Sequence, residues 1–78
     1  MQVEILSPGK DLFDGEVDFV SLPGSEGGLG VLNHHSALIT TLKKGQVKLK
    51  LPSGKEKVFE VNGGTVEVLN NRVIILAD

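Results

Sequence analysis

The chain has 78 residues, a formal net charge of -2, no cysteine, tryptophan or tyrosine, and 40% hydrophobic residues. A domain of this size hides only about 60% of its unfolded surface, so the core is thin, and disulfide scaffolds and cysteine zinc sites are excluded. Its longest apolar run, Val73 to Ala77, falls far short of the ~20 residues that cross a bilayer as a helix.

Valine and isoleucine together outnumber alanine fourteen to two. Side chains that are stiff at the first torsion thus prevail over good helix formers, and strands are predicted at 2–6, 16–22, 29–32, 37–43, 46–51, 56–61, 65–69 and 72–77. Glycine, proline and asparagine mark the turns between them. The expected fold is all-β, with residues 1–78 forming a single domain, a small two-sheet β-sandwich of about eight to ten short strands.

Met1-Gln2-Val3-Glu4 has neither the basic start nor the apolar stretch of a signal peptide, so a soluble intracellular protein is expected. Asp14, Glu16 and Asp18 alternate, which on a strand lines them up as one solvated acidic stripe. They do not form a calcium loop, which needs glycine at its sixth position and glutamate at its twelfth. Residues 1–26 carry six acids against Lys10, whereas residues 43–57 carry six lysines against Glu56. The two segments are expected to pair off across neighbouring strands.

Gly24-Ser25-Glu26-Gly27-Gly28-Leu29-Gly30 is the most distinctive stretch, because that much glycine in one connection implies a sharp turn or a close approach. It is not a phosphate loop: no Lys-Ser or Lys-Thr follows the last glycine, and Glu26 would repel an anion. A dinucleotide fingerprint fails as well, since Asn33 stands where its third glycine belongs. His34 and His35 are adjacent, and on an extended segment they point to opposite sides and cannot share an ion. They are read as turn or partly buried histidines bonded to nearby backbone.

Gln46 to Leu51 alternates strictly, placing Val47, Leu49 and Leu51 inside and Lys48 and Lys50 outside. Pro52-Ser53-Gly54 then closes a hairpin. Lys48, Lys50, Lys55 and Lys57 have only Phe59 beside them, too little aromatic surface for stacking nucleic-acid bases. Asn70-Asn71 fits a two-residue hairpin loop, where asparagine tolerates the left-handed conformation. Val73 to Leu76, apolar on both faces, is expected to be covered on both sides.

From Val3 to Asp78 the sequence resembles the N-terminal β-sandwich domain of the epsilon subunit of rotary F-type ATP synthases. The resemblance is carried in order by Phe13-Asp14-Gly15, Pro23 to Leu32, His35, Leu38 to Lys43 with Gly45, Asn62 to Val68, and Val73 to Asp78. Where that family usually reads Pro-Gly-His-Ala-Pro, this chain has Asn33-His34-His35-Ser36-Ala37. The resemblance implies a non-catalytic rotor subunit of the central stalk, linking the gamma subunit to the c ring and coupling proton flow to ATP synthesis. It implies c-ring contacts at Ser25, Glu26, Gly27, Gly28 and Leu29, and gamma contacts at His35, Leu38 and Thr40. It implies no cofactor, metal, nucleic acid or small-molecule ligand and no bilayer insertion. The location it implies is peripheral, on the cytoplasmic side of a bacterial inner membrane or its organellar equivalent. The family's helical hairpin, which inhibits hydrolysis and in some members binds ATP, does not follow Asp78, so neither activity is expected. Two alternatives are an unrelated β-sandwich module gripping a peptide or sugar through the glycine loop, and a hydrolase using His35.

Overall fold

The computed structural model describes residues 1–78, and every regular element in it is a strand. The strands are β1 Gln2–Ser7, β2 Lys10–Glu16, β3 Phe19–Gly24, β4 Gly27–Leu32, β5 Leu38–Leu42, β6 Gly45–Lys50, β7 Glu56–Val61, β8 Gly64–Leu69 and β9 Arg72–Ala77. Hydrogen bonds link them in the order β2-β1-β9-β8-β5-β3-β6-β7, with β4 on β3. Between β5 and β3 the ladder is a single pair, Gly24 with Leu42, so the sheet folds there into two leaves. This is the two-sheet β architecture that the turn spacing predicts.

Alternation decides which side chains enter the space between the leaves. In the first leaf Val3, Val73, Val68 and Leu38 stand in register across four strands, and Ile5, Ile75, Val66 and Thr40 form the next row. The second leaf contributes Val20, Leu22, Val31, Val47, Leu49 and Val61, and sixteen buried apolar residues form one cluster. The β1–β9 pair is parallel and all others are antiparallel. No buried polar side chain lacks a partner.

Hairpin chemistry follows the local sequence. Asn70 and Asn71 have φ of 52° and 59°, the left-handed pair that a two-residue turn between twisted strands requires. Gly54, at φ 91°, closes the β6–β7 turn, where Leu51 N–H donates to Lys55 O at 2.8 Å. Gly64 has φ 137°, and a Cβ there would lie 2.0 Å from Leu76 O, so only glycine fits.

Three sequence expectations change. Strand β2 has no counterpart among the predicted strands, because Lys-Asp-Leu-Phe-Asp-Gly-Glu carries three acids and a glycine. It is an edge strand paired with β1, and a bulge beside Ile5 lets both Leu12 and Phe13 pack half-buried against the core. The acidic stripe is therefore broken: Asp14 and Glu16 belong to β2, whereas Asp18 lies in the following turn. Nor is β9 covered on both sides, since Val73 and Ile75 are buried but Ile74 is half-buried and Leu76 half-exposed. His34 sits in a turn at φ 63°, and His35 after it is half-buried and bonded to nearby backbone, as the sequence reading has them.

The two outermost strands, β2 and β7, meet through side chains. Phe13 and Phe59 pack edge to face with centroids 6.1 Å apart, and the Lys57 ammonium lies 5.5 Å from the Phe13 centroid. That contact curls the folded sheet toward a half-barrel.

Candidate docking surfaces

The glycine-rich stretch folds as the β3–β4 hairpin, with Ser25 and Glu26 as its loop between paired Gly24 and Gly27. The hairpin end is stitched to β5 rather than left free. Ser25 N–H donates to Thr41 O at 3.0 Å, the Ser25 and Thr41 hydroxyls lie 2.7 Å apart, and Lys43 N–H donates to Pro23 O at 2.9 Å. Ser25, Glu26, Gly27 and Gly28 are exposed and Leu29 is half-buried.

A shallow cleft of about 220 Å³ lies between this hairpin and β5, and it is lined by Glu26, Gly27, Gly28, Leu29, Leu38 and Thr40 together with Gly24. Glu26 to Leu29, expected at one partner, and Leu38 and Thr40, expected at the other, thus share one cleft, which Ser25 does not line. Leu38 and Thr40 sit on the inner side of β5, in register with buried Val68 and Val66. His35 is not among the lining residues. It follows a turn after β4, where its N–H donates to Leu32 O and its Nδ1 lies 2.7 Å from Ser36 O.

The outward side of β5 carries Ile39, which is 74% exposed. It stands in register with Glu67 on β8, and Glu67 with Ile74 on β9. With Leu76 these residues line a shallow groove on the outer face of the first leaf. The sequence signal for this surface is the apolar run of β9, which reads as doubly covered when only this chain's own strands are considered. Beside the groove, Arg72 donates to Glu4 Oε1, and that hydrogen bond, then the carboxylate's charge, raises the guanidinium's pKa above its ordinary value.

Charged side chains do not converge elsewhere. Two ion pairs form, Glu4 with Arg72 and Glu16 with the Met1 ammonium, and neither joins the acidic segment 1–26 to the lysines of 43–57. The expected pairing of those segments does not occur, because β6 hydrogen-bonds to β3 and β7, and the side chains through which β7 meets β2 are Phe59 and Lys57 on Phe13 rather than a lysine on an acid. Lys48 and Lys50 face out from β6, while Lys57, opposite Leu49, turns toward Phe13. No three His, Asp or Glu side chains gather in a metal-binding group.

Residues 1–78 match the family model for the β-sandwich domain of the ATP synthase delta/epsilon chain. The chain belongs to this family. It is 49% identical over 77 residues to the ATP synthase epsilon chain of Dichelobacter nodosus, covering 99% of this chain and 54% of that one. With the epsilon chain of Desulforapulum autotrophicum it shares 43% identity over 76 residues, covering 97% of this chain and 56% of the relative. The chain therefore spans about half the length of these epsilon chains.

Two solved structures share the fold. A chain in the mitochondrial ATP synthase of Euglena gracilis superposes with a TM-score of 0.90 at 22% identity, covering 96% of this chain and 48% of that one. A chain from the central stalk and c-ring of the Tetrahymena thermophila mitochondrial ATP synthase gives 0.80 at 24% identity, covering 97% and 61%. For this epsilon-type domain, membership fixes the fold and leaves its two open surfaces to be assigned.

Proposed function

We propose that this epsilon-type domain is a non-catalytic part of the ATP synthase rotor, fastening the gamma subunit to the c ring so that proton flow drives ATP synthesis. The observation that carries the reading is family membership over the whole chain. Two uncovered surfaces on one stiff body support it. The Ser25 to Leu29 hairpin takes the c ring: its glycines admit close backbone approach, Glu26 supplies a charge, and the bonds to β5 hold the hairpin rigid. Gamma takes β5: the resemblance puts its contacts at His35, Leu38 and Thr40, and on the opposite, outward face of the strand Ile39, with Ile74 and Leu76 of β9, offers uncovered apolar area. The domain works on the cytoplasmic side of the membrane, or its organellar equivalent, as a peripheral part of the complex.

The test is capture of purified gamma and of detergent-solubilised c ring by the tagged 78-residue chain. Retention of both is expected, with Glu26→Lys losing the ring and keeping gamma at an unchanged melting midpoint. Failure to retain either partner would overturn the assignment.

A further inference from the structure

The chain has four asparagines, and the fold employs three of them. Asn33 Oδ1 accepts from the Met1 ammonium at 2.5 Å and Asn71 Oδ1 accepts from His34 N–H at 2.7 Å, while Asn70 and Asn71 hold the left-handed turn between β8 and β9. Asn62 is different. It is exposed in the β7–β8 connection, enters none of the side-chain hydrogen bonds, and alone precedes a glycine. Gly63 is itself buried and its carbonyl accepts from Asp78 N–H at 3.1 Å, but it has no side chain to hinder its nitrogen, and its N–H appears in none of the turn and loop backbone hydrogen bonds.

We propose that Asn62–Gly63 is a spontaneous deamidation site that acts as a slow chemical switch on the β7–β8 turn. The Gly63 backbone nitrogen attacks Asn62 Cγ, forming an N–C bond. The C–N bond to the side-chain amide breaks, and ammonia leaves with the proton that Gly63 nitrogen gives up. Water then opens the five-membered imide. Cleavage at the former side-chain carbonyl gives aspartate, and cleavage at the backbone carbonyl gives isoaspartate, whose main chain runs through the extra methylene.

The surroundings make either product consequential. Gly63 and Gly64 have φ of 138° and 137°, and the Gly64 backbone lies hard against Leu76 O. A Cβ on Gly63 would lie 3.0 Å from Asp78 Oδ2 and 3.4 Å from Leu42 O, so the turn abuts both the end of β9 and the Gly24–Leu42 pair that joins the leaves. A new carboxylate at position 62 adds a negative charge one residue from Gly63, the residue that abuts Asp78. Isoaspartate in addition lengthens the backbone where the close Gly64 approach fixes it.

Incubation of the folded 78-residue chain at mildly alkaline pH, followed by peptide mapping and isoaspartyl methyltransferase labelling, tests the proposal. Amide loss at Asn62 is expected roughly tenfold or more faster than at Asn33, Asn70 or Asn71, the ratio a barrier lower by ~1.4 kcal/mol gives. Asn62→Gln removes the fast phase. The isoaspartate form melts below the parent, with Asn62→Asp between them. An Asn62 that stays intact in the folded chain while converting in the urea-unfolded chain would overturn the site. A converted chain melting like its parent would overturn the switch.

Discussion

Gly64 combines φ 137° with a carbonyl oxygen 2.0 Å from the place of a missing Cβ, and that oxygen belongs to the β9 backbone. No side chain can rotate away to make room. Gly64→Ala should lower stability by about 3 kcal/mol or more, combining dihedral strain with a displaced ladder. At this size that is a fall of roughly 12 to 24 °C in melting midpoint. Gly9→Ala, at φ 72° with nothing within 4 Å of its Cβ, is the control and should cost about 1 kcal/mol. Equal losses in calorimetry would show that the contact with Leu76 contributes nothing. The Met1 ammonium is a second concentrated point, donating to Glu16 Oε1 at 2.8 Å, Val17 O at 2.9 Å and Asn33 Oδ1 at 2.5 Å. Asn33→Ala leaves the ammonium one acceptor short and frees the loop that holds His35. Urea titration should show a loss of about 1 to 3 kcal/mol, with no change expected if the bond were incidental.

Among elements, β5 has two faces with different roles. Leu38, Thr40 and Leu42 turn inward, and Ile39 and Thr41 turn outward, Ile39 being the apolar one. Ile39→Lys, opposite Glu67, should leave stability within about 0.5 kcal/mol, as for exposed sites generally, while abolishing capture of gamma. Loss of stability instead would place Ile39 in the core. The register that separates these faces is a non-local fact, set by pairing of Leu38 with Val68, and Leu-Ile-Thr-Thr-Leu permits either choice when read alone. What was legible is what short-range chemistry controls: the Asn70-Asn71 turn, the inside-outside alternation of β6, and the all-β class itself. Strand β2 was not, because its acids and glycine read as loop and its place depends on pairing with β1. The shared cleft of Leu29, Leu38 and Thr40 was also hidden, since the β3–β5 junction that creates it joins residues eighteen apart through a single pair.

For the whole molecule, the contact between β2 and β7 closes a sheet that hydrogen bonds leave open. Phe13 and Phe59 touch edge to face across that seam, both half-buried. Each alanine substitution should cost about 2 kcal/mol, below the ~3 to 5 kcal/mol of a fully buried phenylalanine. In a double-mutant cycle the pair should couple by about 0.5 to 1.5 kcal/mol, whereas additive losses would mean the two edges are held independently.

The parallel pairing of β1 with β9 carries a consequence for biogenesis. Val3 and Ile5 are interior residues flanked by β2 on one side, but their other neighbours, Val73 and Ile75, lie seventy residues further along the chain. During synthesis the β1–β2 hairpin therefore waits, its apolar face wet and one backbone edge unpaired, until β9 has emerged. Such an order of assembly makes folding of this domain slow, and it makes the nascent β1–β2 segment a natural client for chaperones.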